Sequence, residues 1–187
     1  MKLPPLASAL LVLAAAPGCV PAQDPIAIVV FNYAGAPHSV MAAAVETARM
    51  AFRAAAIDAV WTVCEAETCP GTPPEDGRYY ELMLMPRLRG AMAGHPAGYA
   101  MTGGGFPRPR GYAFYDAVRS VADRTVRPEE LVLGCVLVHE AGHLLGLRHE
   151  RHGAMRPNLE AADMDEVARG RGFTAEEGKQ LRAAARR

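Results

Sequence analysis

Residues 138 to 155 read VHEAGHLLGLRHERHGAM and hold four of the six histidines in a chain of 187 residues. The stretch continues an apolar run, so LVLGCVLVHEAGHLLG predicts one long helix, with Pro128 suited to its first turn and an end near Gly146. His139 and His143 stand four apart on that helix. Their side chains therefore leave one face, one above the other, and can grip the same ion. Glycine tolerates the left-handed backbone that ends a helix, so Gly146 lets the chain turn sharply and bring His149 back towards the pair. Any fold of this chain has to accommodate that helix, that turn and the point at which they converge.

Three neutral imidazoles leave the fourth tetrahedral position of a Zn²⁺ ion open, the arrangement of a catalytic site rather than a closed structural one. The candidate metal ligands are His139, His143 and His149, and the candidate cofactor is one catalytic Zn²⁺. Glu140, next to His139, can reach water at the ion without being a ligand and is the candidate general base. His152 competes for the place of third ligand; the spacing and the glycine favour His149 and leave His152 on an exposed turn. Five such positions coincide by chance in roughly one sequence in ten thousand or fewer, given ordinary residue frequencies. His38 and His95 lie near prolines and read as solvent-facing.

Twenty basic residues balance twenty acidic ones. A zero net charge gives no support for nucleic-acid binding or for an anionic membrane surface, which call for a basic patch. Lys2 precedes an apolar run, 6–16, that Pro17-Gly18 break. Such a run is too short to span a bilayer and matches the core of a secretory signal peptide, with cleavage expected after Val20-Pro21-Ala22. The expected arrangement is a signal peptide over 1–22 and a single domain over 23–187, secreted or periplasmic. The alternative is a lipoprotein anchored through Cys19, although Ala16-Pro17-Gly18 fit a lipidation site poorly. Export permits a disulfide between Cys64 and Cys69, whose segment CEAETC looks like an exposed loop; two independent buried thiols are the alternative. Cys135, in the apolar helix, reads as a small buried hydrophobe.

IAIVVFN (26–32) is a short β-branched run and predicts a buried strand. Ser39 is the expected cap of a helix whose Met41, Ala44, Val45, Ala48, Phe52 and Ala55 follow helical spacing. IDAVWTV (57–63) predicts the next strand, and a strand–helix–strand unit favours parallel pairing. YYELMLM (79–85) predicts a third strand, and GYAM (98–101) can pair locally within a Gly- and Pro-rich stretch. GYAFYDAV (111–118) predicts an edge strand running into a short helix. The triple glycine 103–105 lacks the Lys-Ser/Thr of a phosphate-binding loop, and TAEE (174–177) is a capping box that opens a last helix. The fold class expected is α/β (α+β): a mixed, mostly parallel twisted sheet, a helix packed on it, the long histidine-bearing helix and a C-terminal helix.

His139-Glu140-x-x-His143-x-x-Gly146-x-x-His149, followed by Gly153-Ala154-Met155, resembles the zinc motif and Met-turn of the metzincin metallopeptidases. The resemblance is specific over 136–157 and weaker elsewhere; NYAGAP (32–37) and GYAFYDAV are similar to a compact bacterial exported subgroup. It implies a zinc metallopeptidase, in the first instance a metalloendopeptidase, that hydrolyses a peptide or protein substrate by metal-activated water with Glu140 as general base. It also implies that Met155 sits beneath the three histidines and that residues around Tyr112 to Tyr115 form the edge strand of the cleft. Two positions depart from the pattern: Glu150 stands where many members carry Asp, and Arg156 where some carry a Tyr that assists the transition state. The alternatives are an exported zinc-binding module or scaffold with little or no turnover, and a zinc hydrolase of non-peptide substrates.

Overall fold

The computed structural model describes residues 25–66, 68–70, 79–88, 97–101 and 108–186. The expected signal segment with Cys19, the triple glycine 103–105 and His95 lie outside the described residues. Among the described residues five strands form one sheet: β1 (Ile26–Asn32), β2 (Ala59–Cys64), β3 (Tyr79–Met85), β4 (Gly98–Met101) and β5 (Arg110–Phe114). Their order is β2-β1-β3-β5-β4, parallel throughout except for β4, which runs antiparallel to β5. Five helices accompany them: α1 (His38–Ala54), α2 (Tyr115–Thr125), α3 (Glu129–Leu144), α4 (Ala161–Ala168) and α5 (Ala175–Ala184). The fold is thus α+β with a mostly parallel sheet, as the alternation of β-branched runs and helical spacing implies. No described helix is long and apolar enough to cross a membrane.

β1 is an interior strand and is apolar on both faces: Ile28, Val29 and Val30 are all buried. At its end Asn32 is buried and fully engaged. Its side chain donates to Ala36 O and to Glu65 Oε2, and its Oδ1 accepts from Ala36 N, tying the turn after β1 to the end of β2. Beside Glu65 the Cys64–Cys69 disulfide is formed, and Glu65 and Thr68 bridge within the loop it closes. Cys135 is a buried free thiol in α3, and burial pushes it up to about 12. It packs as a hydrophobe.

Helix α1 buries the expected face, Met41, Ala44, Val45, Ala48 and Phe52, together with Ala51. Ser39 does not cap it. The helix begins at His38 with Pro37 at the N-cap, whose φ of −56° already suits helix entry, and no side chain completes the cap. Pro128 holds the same place before α3. A second correction concerns the edge of the sheet. β5, carrying Tyr112, is interior, because β4 folds back antiparallel on its outer side through the pairs Gly98↔Ala113 to Met101↔Arg110. Among the described residues β4 is therefore the edge on that side, and β2 the edge on the other.

α3 is buried on every side: Val132 to Gly142 without exception, and Leu144. A helix apolar all round has to be surrounded. The sheet, α1, α2 and α4 all pack against it. The α1 crossing is closest at Gly134, where an added Cβ would stand 2.8 Å from Thr47 Cβ and 2.9 Å from Ala44 O. Alanine gains about 1 kcal/mol in helix propensity over glycine. Overpacking of a tight contact costs about 1–3 kcal/mol. One of the two contacted atoms is backbone, so the clash should win. Gly134→Ala is expected to lower stability by up to about 2 kcal/mol, read from the midpoint of urea unfolding; an unchanged or raised midpoint would show the crossing to be loose.

Candidate metal centre

Helix α3 ends in a turn that fixes the third histidine. Gly146 adopts φ +90°, Gly146 N donates to His143 O at 2.9 Å, and Leu147 N donates to Gly142 O at 2.9 Å. These two bonds satisfy the last carbonyls of the helix and reverse the chain, which only glycine at that position does without strain. His149 is thereby returned to the helix face. Nitrogen atoms of His139, His143 and His149 lie within 4.8 Å of one another, and the three could hold a metal ion. The ring centroids are 4.5, 5.2 and 4.6 Å apart for the pairs 139–143, 139–149 and 143–149.

The protonation of the two helical imidazoles follows from their partners. His139 Nδ1 lies 2.7 Å from Ala154 O and His143 Nδ1 lies 2.9 Å from Leu147 O. A carbonyl oxygen only accepts, so in each ring the proton resides on Nδ1 and Nε2 carries a lone pair. The two Nε2 atoms then face each other at 2.9 Å with no proton between them. Two acceptors at that separation repel unless a cation is shared, so the donor set fits a metal ion. Burial reinforces this. It drives His139 down to about 4 and lowers His143, against the smaller opposing effect of their carbonyl partners, and a neutral imidazole is the form that ligates.

Beneath the histidines the chain makes a single 3-10 turn, Gly153–Met155. Met155 is fully buried, and a Cβ on Gly142 would stand 2.5 Å from its sulfur. Met155 thus packs directly under α3, between the turns bearing His139 and His143. Asp163, at the start of α4, holds this turn from below. It accepts from Gly153 N at 2.9 Å, and it closes a capping box with Glu160. Arg156, the residue after the methionine, pairs with Asp163 at 3.4 Å and with Glu160.

Glu140 is buried beside His139, and its Oε2 has no hydrogen-bond partner. Removal from water pushes its carboxyl up to about 8. An unpartnered buried carboxyl is costly, and its position at the wall of an open cleft of about 810 Å³ makes it a candidate functional group. The cleft brings together His139, Glu140, His143 and His149, with Gly98 and Tyr80 also in its lining. His152 is exposed and does not join them, and His38 is exposed at the start of α1. Gly98, Tyr80 and Asp163 join the site or its support without belonging to the histidine motif. Only Gly98 carried a local signal, since a glycine inside a strand marks a close approach. Neither a family model nor a curated protein matches the chain.

The metal-free protein should show the strain of this burial in its pH dependence. Glu140 ionises near 4.5 when unfolded and near 8 when folded, so its contribution to stability is full below pH 4.5 and is lost as pH rises towards 8. His139 has the opposite sign: its folded value near 4 lies below 6.5, so stability is lost as pH falls from 6.5 to 4. With chelator present, Glu140→Gln is expected to melt higher than wild type at pH 8, and the difference should shrink towards pH 5. A difference independent of pH would refute the buried-carboxyl assignment.

Proposed function

We propose that the protein is an exported zinc-dependent metallopeptidase of the metzincin kind, hydrolysing peptide bonds with Glu140 as general base. The observation that carries this reading is the convergence of three histidines, with the Nε2 atoms of His139 and His143 2.9 Å apart and the buried Glu140 carboxyl, unpartnered at Oε2, beside them. His139, His143 and His149 would hold the zinc, which when bound supplies a Lewis acid that polarises the scissile carbonyl and acidifies water.

The chain's own residues do the rest. The backbone carbonyls of Ala154 and Leu147 orient both helical imidazoles with the proton on Nδ1, while burial keeps the rings neutral. Glu140 has no competing hydrogen bond at Oε2, so it is free to take a proton from the attacking water and deliver it to the leaving amine. β4 lies along the cleft, and its outer side has no strand partner among the described residues. An extended peptide could add to it through main-chain hydrogen bonds. The disulfide supports export, because such bridges persist in oxidising compartments.

The test is cleavage of a quenched-peptide library by the exported protein, with and without a zinc chelator. Cutting should stop with chelator and return with zinc. Glu140→Gln should retain zinc and lose about 10²–10⁴-fold in kcat, the usual worth of a positioned acid–base group. His149→Ala should lose zinc, and His152→Ala should keep both zinc and activity. A folded, zinc-loaded protein that cuts nothing would overturn the reading in favour of a binding module.

A further inference from the structure

Two glycines face Glu140 from the sheet. Gly111 of β5 and Gly98 of β4 stand on neighbouring strands, and neither has the positive φ that would by itself call for glycine. The requirement is spatial. A Cβ at Gly98 would lie 2.4 Å from Glu140 Oε1, 2.8 Å from Glu140 Cδ and 2.6 Å from Tyr112 O. A Cβ at Gly111 would lie 2.5 Å from Leu82 Cδ2 and 3.3 Å from Glu140 Cβ. The stem of the acid therefore passes Gly111, and its carboxylate ends against the backbone of the edge strand at Gly98. Glycine weakens a strand, and β4 has only four residues. Its presence there has to be explained by what it makes room for.

We propose that Gly98 is a positioning residue for Glu140: its missing side chain is the slot that seats the carboxylate between the edge strand and the histidines. The proposal rests on the metallopeptidase reading for its consequence in turnover, but the slot itself is a contact between two residues and can be tested without any substrate. An alanine here pushes on the carboxylate and on Tyr112 O together. The carboxylate is the end of a flexible side chain and yields first, leaving the position from which it meets water and substrate.

The experiment is a double-mutant cycle on the exported protein, read by thermal melting in chelator, with Gly98→Ala, Glu140→Ala and the double variant. If the slot exists for the carboxylate, Gly98→Ala should lower the melting temperature by at least about 3 °C less in the Glu140→Ala background than in wild type. Gly111→Ala is the control. Its nearest neighbours are Leu82 and the Cβ that alanine at 140 retains, so its loss should be equal in both backgrounds. Zinc-loaded Gly98→Ala should in addition lose at least about tenfold in kcat, with KM and zinc affinity within about threefold of wild type. Equal losses from Gly98→Ala in both backgrounds, or failure to fold in both, would assign Gly98 to strand pairing alone and overturn the proposal. Non-additive melting with kcat intact would overturn it too, since the contact would then position nothing. If wild type cuts no peptide, the proposed function fails while the melting cycle still decides whether the slot serves Glu140.

Discussion

The fold turns on a conflict inside α3: a helix buried on all sides carries two imidazoles and a carboxyl into the interior. Desolvation holds the imidazoles neutral and raises the carboxyl's hold on its proton. Each buried polar atom then needs a partner. The outer nitrogens find theirs in backbone carbonyls, Ala154 O and Leu147 O, contributed by the two turns that follow the helix. Glu140 Oε2 finds none, and the two inner nitrogens meet only each other, at 2.9 Å. Among the described residues, Trp61 Nε1 and Glu177 Oε1 are also buried without a partner, but only Glu140 lies at the wall of the cleft that the histidines share.

The turns after α3 serve both sides of that account. Gly146 closes the helix, frees the backbone to carry His149 inward, and leaves Leu147 O aimed at His143. The 3-10 turn offers Ala154 O to His139 and pushes Met155 beneath Gly142. Gly142 itself has no side chain to block that sulfur, so the helix and turn approach more closely than any other residue would allow. A methionine suits the gap because its unbranched thioether fills irregular spaces without a polar demand of its own.

The legibility of these features in the sequence followed their range. The histidines, Glu140 and Gly146 lie within eleven residues, and a helical period with a terminating glycine is a local property, so their convergence was readable before any fold was known. The strands β1, β2 and β3 were equally local, as runs of β-branched and aromatic residues, and so was the Thr174–Glu177 capping box of α5. The edge of the sheet was not. GYAFYDAV and GYAM both read as short strands, and which lies outside depends on β4 folding back across β5, a pairing that neither segment encodes alone. Helix α4 escaped notice for a related reason. Its eight residues are too few for a clear period, and its cap is an acidic pair, Glu160 and Asp163, in place of a Ser or Thr signal.

Asp163 shows how helix α4 supports the candidate metal centre. Its two oxygens bind Gly153 N, Glu160 N and the Arg156 guanidinium. One nearly buried carboxylate therefore joins the start of α4 to the turn that holds Met155 and Ala154. Arg156, which departs from the resemblance, is committed to this junction and is not a substitute for a group in the cleft. Because Ala154 O orients His139, a load placed on Asp163 reaches the first ligand through three residues of backbone. The support of the site is thus electrostatic at its base and steric at its floor, and both parts converge on the helix that had to be buried whole.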